Sequence, residues 1–350
     1  MTSMNRLCVT VLAVAAMSGT ALAQTPTPDN ATPAPAEVPA TPAVTFGVMS
    51  FLQYSAELHE QDGYNAFDVT RGYFDVHARL TDRVRARFTP DVRPTTDATL
   101  DTNMALRLEY AYLEASVSDG ASFVFGMHET PWLTYEESTN RYRVQGPMFA
   151  EREGLIPGPS DVGASFWARG DRAEVHVGIY NGEGYGRAEE DKYKSVQGRV
   201  TVRAFADDTA ATSVHLSGFY SYGWYARDRP RNIAIVMGSY DSPHAAATAQ
   251  YLTATDNPFV AVDVQRRGMS FFGEGRQGLT GWAGLGRVDL FDPDVSNTSD
   301  TQRRYIFGGA HWSQWGRGRL GVVVTLEQLY QTVNSQLLER RVLAQTQIEF

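Results

Sequence analysis

From Phe46 onward, apolar and polar positions alternate with a period of two along most of the chain. In 70–80, one face carries Thr70, Gly72, Phe74, Val76, Ala78 and Leu80, and the other Arg71, Tyr73, Asp75, His77 and Arg79. That period belongs to a β-strand with unlike faces. After the turn Thr81-Asp82, the residues Val84, Ala86 and Phe88 interleave with Arg83, Arg85 and Arg87. A strand sets those three cations in one row, whereas a helix would scatter them. The pattern recurs where Ala173, Val175, Val177 and Ile179 oppose Glu174, His176 and Tyr180, and where Val196, Val200 and Val202 oppose Gln197, Arg199, Thr201 and Arg203. It weakens in 232–255, where small residues blur the two faces.

Clusters of Gly, Asp, Asn and Pro divide the span from Thr45 to Phe350 into about 16 strands, each near the length of a tilted membrane strand. Tight connections (81–82, 169–172, 276–279, 314–317) are interleaved with longer polar ones (92–103, 181–194, 291–300). Short periplasmic turns and long external loops produce this rhythm in an outer-membrane barrel, and an even strand count closes it. After the first residues no apolar stretch approaches the roughly 20 residues of a membrane helix. A closed barrel is the other way across a bilayer. The expected fold class is therefore all-β, a closed antiparallel transmembrane β-barrel in the outer membrane of a Gram-negative bacterium. Tyr110, Tyr112, Phe166, Trp167, Tyr220 to Tyr225, Phe271, Phe272, Trp282, Trp312 and Trp315 cluster near strand ends and read as interfacial girdles.

The N-terminus has the parts of a secretory signal: Arg6, an apolar run from Leu7 to Met17, and Ala21-Leu22-Ala23 before Gln24. Residues 1–23 are expected to be removed, taking with them Cys8, the only cysteine. Residues 24–44, rich in Pro, Ala and Thr, read as an extended periplasmic linker: a passive spacer, or an arm that touches the cell wall. Residues 45–350 form the barrel domain. Loss of Arg6 makes the net charge one unit more negative than −9, which argues against nucleic acid as a partner. Beyond the leader the only lysines are Lys192 and Lys194, so the cations are almost all arginines, whose planar fork suits anion contact.

Arg71, Arg79, Arg83, Arg85, Arg87, Arg107, Arg199 and Arg203, with Glu109, are the candidate pore-lining residues. Asp75, Asp91 and Glu174 share those faces and are positioned to pair with the arginines. The longest non-alternating stretch, 128–160, holds Glu129, Glu136, Glu137, Arg141, Arg143, Glu151, Arg152 and Glu153 among several prolines. A loop this long is usually functional. Folded inward it narrows a pore and brings both signs of charge to the solute, and the alternative is a mobile external loop. Enzyme signatures are weak: His128-Glu129 lacks the second histidine of a zinc helix, and the glycines at 182, 184 and 186 read as a turn. A barrel enzyme of lipase or protease type and an envelope tether are the rival readings, and no cofactor or metal is called for.

Several short runs resemble the phosphate-selective porin (O and P type) family. They are Arg71 to Val76, Leu80 to Arg83, Arg87 to Asp91, Gly126 to Pro131, Phe149 to Arg152 leading to Asp161-Val162-Gly163, and Gly178 to Gly182. The resemblance covers the barrel and leaves out the proline-rich arm. It implies a 16-stranded homotrimeric porin with an inward third external loop at 128–160, passing small hydrophilic solutes, with anions such as phosphate favoured. The chain departs from the family's ladder of lysines, and its loop is rich in glutamate. The terminal strand sets Val342, Ala344, Thr346, Ile348 and Phe350 against Gln345, Gln347 and Glu349. Outer-membrane barrels commonly end this way, which implies that Ile348 and Phe350 form an assembly signal read by the barrel assembly machinery before insertion among outer-membrane lipids.

Overall fold

The computed structural model describes residues 43–59, 63–95, 99, 102–189, 192–205, 212–226, 229–257 and 263–350. The expected leader and the linker up to residue 42 lie outside the described residues. Sixteen strands follow in order among those described. They are β1 Ala43–Glu57, β2 Asn65–Arg79, β3 Val84–Pro94, β4 Met104–Ser118, β5 Ala121–Glu129, β6 Ser160–Arg169, β7 Ala173–Tyr180 and β8 Ser195–Phe205. Then come β9 Ser213–Ala226, β10 Arg229–Asp241, β11 Ala245–Asp256, β12 Val264–Arg276, β13 Gly281–Asp292, β14 Gln302–Trp315, β15 Gly318–Gln331 and β16 Leu337–Glu349.

Each strand pairs antiparallel with its neighbours in sequence, and β16 pairs with β1, so the sheet closes. Closure leaves no row of unpaired backbone groups, the condition for sitting in hydrocarbon. Phe350 extends the last pairing: its N–H donates to Val48 O at 3.0 Å and its carbonyl accepts from Val48 N at 2.8 Å. Ala43 and Val44, expected to end the linker, already pair with Arg79 and Ala78. The strand starts earlier because Val44 continues the outward-apolar alternation of Phe46 and Val48, carrying Ala43 into the pairing on the opposite face.

Alternation sorts the side chains between two solvents. Phe46, Phe67, Leu106, Phe125, Val200 and Val324 are among the apolar residues exposed on the outside. In water such a surface would aggregate, and against acyl chains it is matched. Polar side chains face inward. Thr70 departs from its expected outer face: the β1–β2 register shifts between Phe51 and Leu52, and the Thr70 hydroxyl donates to Phe51 O at 3.3 Å. An extra residue in one strand turns its side chain to the other face.

The aromatic residues divide between the two faces. Phe166, Tyr220, Tyr222, Phe271, Trp282 and Trp315 keep the outward parity of girdle residues. Tyr110, Phe272 and Trp312 instead point inward and are buried, Tyr112 shares the inner face of β4, and Trp167 stacks on His176 at 3.8 Å. The interior holds two apolar clusters. One unites Trp132, Leu133, Met148 and Phe149 with Phe219, Ile233, Ile235, Met237, Leu252 and Phe291. The other unites Tyr142 and Val144 with Phe51, Phe272, Leu285, Trp312 and Val323.

Candidate functional site: a loop docked across the lumen

Residues 130–159 join β5 to β6 at the end of the barrel opposite the short turns. They fold into helix α1 (Leu133–Thr139), a 3-10 turn (Arg143–Gln145) and helix α2 (Phe149–Arg152). The helices are too short to stand alone. Their apolar side chains instead dock on the inner wall: Trp132 lies 5.5 Å from Phe219, and Phe149 meets Phe291 at 6.2 Å edge to face. On the other side, Tyr142 packs against Trp312 at 5.9 Å. Gly268 makes room for Phe149, since a Cβ there would sit 2.6 Å from Phe149 Cζ.

Charged loop residues are tied down rather than free. Glu136 accepts from Trp132 Nε1 at 3.0 Å and from Gln250 Nε2 at 2.6 Å, and burial pushes its carboxyl above the usual range. Arg141 pairs with Glu274 on β12 and lies over Trp312 at 4.8 Å. Arg143 bridges Glu137, at 3.2 Å, and Glu151. Burial pushes the Glu137 carboxyl up to about 7, with Glu151 and Glu136 adding to the shift and Arg143 opposing it. Arg152 reaches Glu327 on β15 at 2.8 Å, and burial lowers its guanidinium to about 10. Gly146 has φ of 145°, and the Arg152 guanidinium passes 3.0 Å from where its Cβ would be, so glycine is required there. Burial also raises the Glu153 carboxyl. Glu129 is not a loop residue: it ends β5 paired with Ser160, where its carboxylate takes Arg87 at 2.8 Å. The alternation of β5 simply runs on through His128.

The wall arginines fall into three groups. Arg71 and Arg107 converge on Asp91, at 2.7 and 2.6 Å, and both donate to the Tyr185 hydroxyl. Buried Glu109 lies 3.8 Å from Arg71. Arg87 joins Asp75 at 2.7 Å and lies 3.9 Å above the Tyr110 ring. The second group sits toward the opposite, short-turn end: Arg79 pairs with Asp82 at 2.6 Å, while Arg83 and Arg85 are exposed. Arg203 lines a recess of about 300 Å³ with Glu174 and His215. Arg199 corrects its expected role. Only 2 % exposed, it donates to Pro131 O at 2.7 Å, pairs with Glu174 and is covered by the Tyr135 ring at 4.0 Å. It anchors the start of the loop and contributes little to the recess that it lines beside Arg203.

Sequence reasoning missed the centre of the arrangement. Glu327, fully buried, takes Arg152 at 2.8 Å, Arg304 at 2.5 Å and Arg341 at 3.0 Å, so three guanidinium groups share one carboxylate. Asp91, fully buried too, is shared by two. In both clusters the carboxylate lies behind and the arginines in front. Inward parity alone marks Glu327, a signal it shares with Arg319, Thr325 and Gln331 of β15.

No protein-family model matches the chain, and no curated protein sequence matches it. Solved structures do. An anion-selective porin from Comamonas acidovorans superposes with a TM-score of 0.64 at 12% identity, over 89% of this chain and 100% of that one. OmpF of Salmonella typhi, in complex with daunomycin, gives 0.61 at 11% identity over 88% and 97%. The outer membrane channel DcaP of Acinetobacter baumannii gives 0.60 at 12% identity over 89% and 98%. The chain has the fold of a Gram-negative outer-membrane porin.

Proposed function

We propose that the protein is a passive diffusion channel of the outer membrane, open to small hydrophilic solutes and favouring anions. The observation that carries this reading is the layering of charge in the lumen, with arginines standing in front of buried carboxylates at Asp91 and Glu327. A permeating ion responds to the local field, which the front layer dominates, rather than to the net charge of −9. Structural neighbours that include an anion-selective porin support the direction of the preference. The resemblance to the O and P type family extends the reading to phosphate among the solutes and to a homotrimeric assembly. Diffusion down a gradient needs no cofactor, and the docked loop would set the narrowest section.

Purified protein in planar bilayers tests the reading. Stepwise conductance is expected, with a reversal potential in a salt gradient that favours anions. Absence of steps would refute the channel. A cation-favouring potential would refute the anion preference alone.

A further inference from the structure

Between the loop's 3-10 turn and the wall formed by β16, β1 and β2 lies a cavity of about 250 Å³. Its cationic lining is Arg71, Arg143 and Arg341, its carboxamides are Gln53, Gln145 and Gln345, and no carboxylate lines it. Arg143 is spent on Glu137 and Glu151. The other two are not. Arg71 makes its bonds to Asp91 and Tyr185 through Nη1, leaving Nε and Nη2. Arg341 grips Glu327 through Nε and Nη2, leaving Nη1. Both side chains keep partial exposure, 19% and 32%, while their carboxylates have none.

Gln345 supplies the second, independent feature. It is 2% exposed, and its Nε2 donates to Gln53 Oε1 at 2.8 Å and to Val144 O at 2.6 Å. Those bonds fix the amide's orientation, and its buried Oε1 is left without a partner. A buried acceptor held in this way favours a ligand that brings a hydroxyl or N–H donor. Phe51 and Leu343 add an apolar floor.

Resting on the channel reading, we propose that this cavity is a subsite for small hydroxylated organic carboxylates of the sugar-acid type. The carboxylate sits on the free edges of Arg71 and Arg341, a hydroxyl donates to Gln345 Oε1, and the carbon chain lies along Phe51 and Leu343. Paired guanidinium edges suit the planar carboxylate. Chloride or acetate, without a donor, would leave the amide acceptor unmet.

The test uses single channels in planar bilayers in potassium chloride, adding gluconate, acetate or glucose and reading the concentration that halves the chloride current. Gluconate is expected to act at about a tenfold lower concentration than acetate, the margin one buried hydrogen bond supplies. Glucose, without the charge, should be weaker still. Gln345→Leu should bring gluconate to the acetate value. Equal action of gluconate and acetate on the wild type would overturn the inference while leaving the channel intact, as would a gluconate advantage that survives Gln345→Leu. Absence of conductance steps would overturn the channel reading and the inference with it.

Discussion

Glu327→Gln isolates the charge at the centre of the lumen while keeping the side chain's size. The wild-type carboxylate is fully buried and holds Arg152, Arg304 and Arg341 at 2.8, 2.5 and 3.0 Å. Losing one partner of a buried pair typically costs about 3–5 kcal/mol, because the remaining charge is left uncompensated. Two features pull the value toward the lower end. Arg304 retains Glu339 at 3.1 Å, and Arg341 at 32% exposure is partly hydrated. A loss of about 3 kcal/mol is expected in urea unfolding from lipid vesicles, extrapolated linearly to zero denaturant. Arg341→Gln, which leaves two arginines on the carboxylate, should cost only about 1 kcal/mol. The same Glu327→Gln protein should become more anion-selective, since one negative charge leaves the lumen. A change below about 0.5 kcal/mol, within the range of ordinary surface substitutions, would refute the claim that Glu327 organises this wall.

Other outcomes follow from the loop and the seam. The Glu137 carboxyl, raised to about 7 from 4.5, opposes loop docking once ionised; the penalty is full above pH 7 and fades as pH falls toward 4.5. Stability is therefore expected to rise between pH 8 and pH 5, and Glu137→Gln should shrink that rise in thermal unfolding. Gly268→Val places atoms where Phe149 Cζ now lies and should displace the loop, seen as a changed single-channel conductance with the barrel's circular dichroism retained. Arg199→Gln removes the anchor on Pro131 O and Glu174, and should raise proteolysis within 130–159 while leaving ion selectivity nearly unchanged. Removal of Phe350 deletes the two hydrogen bonds to Val48 and the exposed terminal ring, and should lower the yield of folded barrel in cells before it alters conductance.

Much of the barrel was legible because lipid and lumen impose opposite chemistries on alternate residues. The stretch 84–88 and the terminal strand read off correctly down to the face of each side chain. The blurred stretch at 232–255 has a physical cause. There the inner face is apolar, with Ile233, Ile235, Met237 and Leu252 receiving the loop, while Ala234, Gly238, Ala247 and Ala249 keep the outward parity. Neither face contrasts with the other, so period two fades. The inward Tyr110, Phe272 and Trp312 were misplaced for a related reason: an aromatic ring near a strand end suits a girdle and a lumen contact equally well. The loop's length marked it as important, but its partners were out of reach. Nothing local in 130–159 points to Glu327 or Glu274, which lie more than a hundred residues away in sequence and meet the loop only after closure.

The docked loop also limits how the protein can behave in time. Lifting it would wet Trp132, Leu133, Met148, Phe149 and Leu155, all at most 1% exposed. At roughly 2 kcal/mol for each side chain, that is on the order of 10 kcal/mol. A lifted state would then occur less than about once in a million. The docked loop is thus a fixture and not a flap. Open-channel current should be quiet, free of the flicker that a swinging gate imprints, and size exclusion should be a static sieve whose cut-off does not drift with voltage or time.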